Sequence, residues 1–479
     1  MNTQICNSDV SKVELSQALL TGKWLGWLMF ALAALSWIAS ATLIARGIGI
    51  EDSHDQFLIA LAGLAPAGFL FLLAKSAQLN LIQSASKIFP NLQAPSLPAL
   101  LLLGLTLRLT WVWIFPAEPT SDGASYLGLA EHLLASGRYE IAGTLAYWPP
   151  GYPFFLAPWL LIFSPALAIL ISQLWLYVIG TIGCYKLSKF LSGDEAARIA
   201  ALLFTLWPNL IALSGTPEKE TLPLALLPWI CLGVIKPDLL SKVLAGLALG
   251  LVILVQPSFQ FLPIAFLFLI PMLHGWRSLR GALFLLISAA IVIAPWTLRN
   301  QQQFSQFVLI STNGGDNLYR ANNPLASGGY TEKGAIDFSE YSEVEHDHVA
   351  KQQAIEWIIK YPGDFLKLAW EKQIRFMGDD STGVFNTLKR GRGPHSSIAY
   401  VLCKLIANVW WILIWIVISL LAWSSRTRTQ VHNMVVWWWF YLFALHSIFE
   451  SSGKYHIPVL WVLCVWLGGA LTAQKKGLS

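Results

Sequence analysis

Tyr147-Trp-Pro-Pro-Gly-Tyr-Pro153 runs directly into Phe154-Phe-Leu-Ala-Pro-Trp-Leu-Leu-Ile-Phe163, and whether this apolar run crosses a membrane decides the side of every loop after it. Ten residues are too few to cross as a helix, since a hydrocarbon core of about 30 Å needs roughly 20. Pro149, Pro150, Gly151, Pro153 and Pro158 crowd the start and middle of the run, a density of helix breakers that suits an interfacial or re-entrant hinge. Parity is the stronger argument: counting this run as a span would move every later Lys/Arg-bearing short loop to the opposite face.

Outward from it, apolar runs predict spans near 24 to 45, 57 to 74, 97 to 115, 165 to 185, 195 to 213, 221 to 236, 240 to 256, 259 to 273, 281 to 297, 398 to 422, 432 to 448 and 457 to 473. These make about twelve transmembrane helices, with both termini on one side. Lys75 and Lys87, Lys186, Lys189 and Arg198, Lys236 and Lys242, Arg277 and Arg280, Arg426 and Arg428, and Lys475 and Lys476 then fall on alternate loops, which the positive-inside rule makes cytoplasmic. The external face carries three segments, 116 to 164, 214 to 220 and a polar loop from 298 to 397.

Composition agrees. Of 479 residues 55% are hydrophobic and 12% charged, with a mean hydropathy of +0.56, so the expected class is an all-α polytopic membrane protein. The 23 Trp, several at the ends of apolar runs (Trp111, Trp113, Trp148, Trp159), read as interfacial anchors. A net charge of +5 spread over loops is a topology signal and points to no nucleic-acid partner. Cys6, Cys184, Cys231, Cys403 and Cys464 form no CxxC pair, and neither a disulfide framework nor a thiolate metal site is indicated. The run from Trp24 to Ile44 is long enough to remain as a span, with no small-residue cleavage site after a short apolar core. Four regions are expected: a two-span extension over 1–96, a transmembrane core with two external loops over 97–297, an external loop region over 298–397 and closing helices over 398–479.

Chemistry is expected on the external face. Asp122 follows the span ending at Phe115, and Thr120 or Ser121 is placed to cap a short helix with an apolar stripe of Leu127, Ala130, Leu133 and Leu134. Asp122 and Tyr126, four residues apart, share a face of that helix, where Asp122 serves either as a general base or as a helix-dipole partner. The short loop Ser214-Gly-Thr-Pro-Glu218-Lys219-Glu220-Thr-Leu adds two carboxylates, which are either functional or solvated caps. Arg299, Arg320, Lys454 and His456 are cations on the same side, suited to a phosphate or to lipid head groups. Arg108, inside an apolar span, is costly to place and therefore functional or packing-critical. Gly246 and Gly250 form a GxxxG helix-packing pattern.

In order along the chain, Arg108, Pro119, Asp122, Tyr126, Ala130, Leu134, Gly137, Pro149-Pro150-Gly151-Tyr152-Pro153, Glu220-Thr-Leu, Pro295-Trp296 with Arg299-Asn300, Asn322-Asn323-Pro324 and Lys454-Tyr455-His456-Ile-Pro458 resemble the GT-C class of polyprenyl-phosphate-sugar-dependent glycosyltransferases. The likeness is closest to bacterial relatives of the protein O-mannosyltransferases and lipid A aminoarabinose transferases, and runs from about Leu100 to Leu471. It implies a GT-C-like fold with juxtamembrane helices in the first external loop, and an inverting hexosyl or pentosyl transferase of the inner (cytoplasmic) membrane. The donor would be a polyprenyl-phosphate sugar entering from the bilayer, and the acceptor hydroxyl, on a protein, lipid or glycan, would approach from outside.

The resemblance further implies that Asp122 is the first-loop catalytic acid and Glu220 the second-loop one, Glu220 being preferred to Glu218 because Thr-Leu follows it. Arg299, Lys454, His456 and Arg320 would bind donor phosphate, and Tyr126, Tyr152 and Tyr455 would shape the substrate site. Lys454 stands where the family usually carries Arg, which keeps the charge and loses the bidentate fork. No cofactor is required by the sequence, and a divalent cation held by Asp122 and Glu220 is compatible with it. Two rival readings are a flippase for a lipid-linked sugar and a lipid-linked glycan ligase or polymerase. Ionisable residues in external loops, with no internal repeat, speak against a transporter. Segments Ile355-Glu-Trp-Ile-Ile and Phe365-Leu-Lys-Leu-Ala-Trp370 of the long loop read as amphipathic helices lying over the membrane or as a structural lid.

Overall fold

The computed structural model describes residues 23–47, 94–331, 340–391, 397–422 and 430–476. Among these the chain is helical, without strands, and has one isolated bridge between Ile141 and Thr144. Helices α1 (Lys23–Gly47) and α2 (Leu97–Ile114) precede a first loop that forms α3 (Asp122–Ser136) and α4 (Gly151–Leu160). Then come α5 (Pro165–Ser192), α6 (Asp194–Leu206), α7 (Pro208–Ala212), α8 (Thr221–Ile235), α9 (Leu239–Val255), α10 (Leu262–His274) and α11 (Leu279–Phe304). The long polar loop folds as α12 (Gly314–Ala321), α13 (Glu343–Lys360), α14 (Pro362–Gly378) and α15 (Thr382–Phe385), before α16 (Ser397–Ala422), α17 (Gln430–Ile448) and α18 (Leu460–Lys476).

Seven helical stretches among the described residues are long and apolar enough to cross a membrane: Leu28–Arg46, Leu97–Ile114, Pro165–Ser192, Pro257–His274, Trp276–Phe304, Ser397–Ser419 and Gly453–Ala473. An eighth is broken, α6 and α7 with the turn after it meeting at 53°. Shorter apolar helices occupy Thr221–Ile235, Leu239–Val255 and Val436–Ile448. Every expected span therefore coincides with one of these helices except 57 to 74, which lies outside the described residues. Among the described residues, several of the expected spans do not reach spanning length alone. The reason is local: Lys236-Pro-Asp cuts one apolar stretch into helices of 15 and 17 residues, and at about 1.5 Å per residue each falls short of a full hydrocarbon core. Phe154–Phe163 forms no span of its own, and the ten-residue α4 with Pro158 inside occupies most of it.

The break between α6 and α7 has a simple cause. Trp207 precedes Pro208 and is extended (φ −65°, ψ 112°), because the proline ring disfavours a helical residue before it. Elsewhere glycines let backbones meet: a Cβ on Gly246 would lie 2.3 Å from Leu285 O on α11, and one on Gly151 only 2.6 Å from Val255 N. The second contact seats α4 against the end of α9. Arg108 is a packing residue, 2% exposed, donating to Gly104 O (3.2 Å) and Thr205 O (3.3 Å) and lying 3.7 Å over the Tyr177 ring.

Helix α1 lies along α14. Ser36 Oγ donates to Met377 O (3.1 Å), Ser40 Oγ to Gly378 O (3.0 Å), and Arg46 pairs with Glu371 at 2.8 Å. Helix α1 is thereby fastened to the long polar loop.

Candidate active site

A cavity of about 470 Å³ opens where the first loop, the second loop, the long loop and the turn Gly453–Val459 meet. Asp122, at the start of α3, contributes from the first loop. Ser121 occupies the N-cap position, but its side chain makes no capping bond and its φ is +51°, a conformation that costs a non-glycine residue about 1–3 kcal/mol. That strained turn aims Asp122 at the cavity. On α3 the buried residues include Tyr126, Leu129 and Ala130, while Leu134 of the expected stripe is 38% exposed. Gly137, left-handed at φ 69°, ends the helix.

Lys454 Nζ donates to Asp122 Oδ2 at 2.9 Å. Burial pushes the Asp122 carboxyl up, but Lys454, Lys219 and Arg390 together outweigh it and hold the group at about 2. The second loop behaves oppositely. Burial and the neighbouring Glu220 push Glu218 up to about 7, although Asn386 Nδ2 donates to its Oε1 at 2.6 Å.

Of the two second-loop acids it is Glu218 that lines the cavity. Glu220 is 1% exposed and stands at the N-cap position of α8 without a side-chain capping bond, its Oε1 lacking a partner, as does the buried Tyr126 hydroxyl. No group of three His, Cys, Asp or Glu side chains suited to a metal occurs among the described residues, and Asp122 already faces an ammonium.

The far wall belongs to the long loop. Arg320, on α12, pairs with Asp316, donates to Tyr147 Oη at 3.4 Å and reaches Glu450 at 3.9 Å. Tyr147 also donates to Asp316, and Tyr455 donates to Glu450 at 2.6 Å. Arg320, Lys454 and Tyr455 thus line the cavity with Asp122.

The other expected residues stand elsewhere. Arg299 donates to Leu145 O (2.8 Å), Tyr139 O (3.2 Å) and Asn300 Oδ1 (3.0 Å), so its guanidinium holds the first loop and is not among the cavity residues. Glu343 completes that clamp by accepting from Leu145 N (2.7 Å), Ala146 N (2.8 Å) and Thr312 Oγ1 (2.6 Å). His456 is fully buried, stacked 4.5 Å from Trp411, with its ring nitrogens at Phe376 O (2.7 Å) and Asp380 Oδ1 (3.1 Å). Asp380 also accepts from Trp207 (2.6 Å) and Asn209 (2.5 Å), the residues flanking the α6–α7 break. Tyr152 is buried behind the wall, accepts from Gln173 (3.1 Å) and meets Tyr126 at 5.6 Å between rings.

Cavity residues that sequence reasoning missed include Tyr147, Lys219, Asp379, Asn386, Arg390 and Lys404. Lys219 sits between two acids already singled out, a signal that could have found it. Arg390 is an ordinary cation in a basic stretch, with nothing in its neighbours to distinguish it, whereas Lys404 is a lone cation inside the apolar helix Ser397–Ala422, a costly placement that could have marked it.

No family model matches the chain, and no curated protein matches it. Among solved structures it is similar to the oligosaccharyltransferase of Archaeoglobus fulgidus in the apo form, at 15% identity and a TM-score of 0.48, over 80% of this chain and 50% of that one. It is also similar to the structure of that enzyme with Zn and sulfate (14%, TM-score 0.46, 80% and 49%) and to the one with an inhibitory peptide and a dolichol-phosphate (14%, TM-score 0.44, 80% and 50%). The chain spans about half the length of these structures.

Proposed function

We propose that this chain is a membrane glycosyltransferase that moves one sugar from a polyprenyl-phosphate carrier to an acceptor hydroxyl at the external face of the cytoplasmic membrane. The observation that carries the proposal is the convergence of Asp122, Glu218 and Lys454, from three separate loops, on one polar cavity held by apolar spans. Such a place lets a lipid-borne donor meet a water-borne acceptor.

Asp122 takes the acceptor proton, and Lys454 and Arg320 stabilise charge on the departing lipid phosphate. While paired to Lys454, Asp122 is ionised but weakly basic. A donor phosphate drawing Lys454 toward itself loosens that pair and makes the carboxylate a better base. A second reading gives the proton to Glu218, and its favouring observation is a carboxyl raised to about 7, matched to neutral pH. Arg299 and His456, committed to carbonyls and to Asp380, support the site from behind.

The test incubates purified protein with a monosaccharide carrier lipid and measures released polyprenyl phosphate, alongside the Asp122→Asn variant with its folding checked. Release by the parent and not by the variant supports the proposal. Normal release by Asp122→Asn removes Asp122 as the base, and carrier movement across vesicles without release makes the chain a flippase.

A further inference from the structure

Five cations line the cavity among the described residues: Lys219, Arg320, Arg390, Lys404 and Lys454. Three are matched by carboxylates. Lys454 has Asp122 at 2.9 Å, Arg320 has Asp316 and Glu450, and Lys404 has Asp379 at 3.7 Å. Lys219 and Arg390 have aromatic faces instead, Lys219 5.7 Å over Tyr126 and Arg390 5.2 Å over Phe385. An aromatic face orients a cation without neutralising it, so both keep their full charge for an incoming anion.

The two belong to one rim because their segments are tied together. Glu218, next to Lys219, accepts from Asn386, which opens the short π-helical turn that Arg390 closes, Asn386–Arg390. Both cations also act on Asp122, helping to hold its carboxyl down. Free lysines and arginines are common near membrane surfaces, where they meet head groups. These two differ in lining the same cavity as Asp122.

We infer that Lys219 and Arg390 are a phosphoryl-binding pair, Arg390 offering a planar fork to two oxygens and Lys219 a point charge to a third. The identity of the phosphate's bearer, the carrier lipid, rests on the transferase reading above. In that transfer the bond from the anomeric carbon to the phosphate oxygen breaks with its electron pair staying on phosphate. The acceptor oxygen bonds to the carbon and its proton passes to a carboxylate. The phosphate goes from a diester with one negative charge to a monoester with up to two, and the pair is placed to take the charge that develops.

The experiment measures binding of polyprenyl phosphate, neutral polyprenol and inorganic phosphate to the full chain in lipid nanodiscs. Lys219→Met and Arg390→Met are each expected to weaken polyprenyl phosphate binding by about tenfold or more, with polyprenol unchanged. Lys219→Arg restores most of the affinity and Arg390→Lys only part of it, since lysine keeps the charge and loses the fork. A double Met variant that binds polyprenyl phosphate like the parent overturns the pair. If the parent binds inorganic phosphate through these residues and ignores polyprenyl phosphate, the pair stands and the lipid donor falls. If it binds neither, the pair falls.

Discussion

Lys454 reaches back across 332 residues of sequence to place its ammonium 2.9 Å from Asp122 Oδ2. Both line the cavity, Asp122 from the first loop and Lys454 from the turn Gly453–Val459. Asp122→Asn keeps the shape and removes the charge, so transfer should drop by about 10²–10⁴-fold, as for loss of a general base. A release assay on folded variant protein checks this.

The same pair predicts acid sensitivity. Asp122 is depressed from 3.8 to about 2, so its contribution to stability is present above about 4 and is lost as pH falls toward 2. Thermal unfolding between pH 5 and 2 should show a loss that is smaller in Lys454→Met. An equal loss in both would place the sensitivity elsewhere.

Glu218 has the opposite sign. Its carboxyl is raised from 4.5 to about 7, so the folded state holds that proton more tightly and stability falls as pH rises through this window. Glu218→Gln should flatten that slope and, if Glu218 accepts the proton, also remove a limb near pH 7 from the rate profile. Retention of the limb would leave Asp122 as the base.

Glu343 touches three donors of the first loop and its neighbour and no cavity residue does its work. Glu343→Ala should destabilise the protein by about 1–3 kcal/mol through unsatisfied amides, and lower kcat by displacing Tyr147 and Trp148. Unfolding and steady-state kinetics together separate this from loss of a substrate contact, which would leave stability unchanged.

His456 and Asp380 are both fully buried. Asp380→Ala strands His456 and the donors of Trp207 and Asn209, and should cost about 3–5 kcal/mol. Phosphate-dependent binding, measured on whatever fraction folds, should change less than in Lys219→Met.

Much of the fold was legible because spanning helices write themselves as long apolar runs, and the turn at Lys236-Pro-Asp is visible too. Counting sides put Asp122 and Lys454 on one expected face, but their contact at 2.9 Å was not legible. Which acid of the second loop faces the cavity was not legible, since that depends on where α8 begins its turn: Glu220 falls on the buried side and Glu218 outside it. The roles of Arg299 and His456 were hidden for a different reason. A cation's sequence neighbourhood does not say whether its partner is a ligand, a carbonyl or, as for His456, a carboxylate brought by another loop.

The Ser36 and Ser40 bonds to the last carbonyls of α14 bear on how the chain is assembled. Met377 O receives a second donor from Trp411 of α16 at 2.7 Å. The end of α14 is therefore sealed by one helix synthesised about 340 residues earlier and another made just afterwards. Met377 O therefore gains its second donor only once α16 has been made, so this end of α14 is completed after the helix itself.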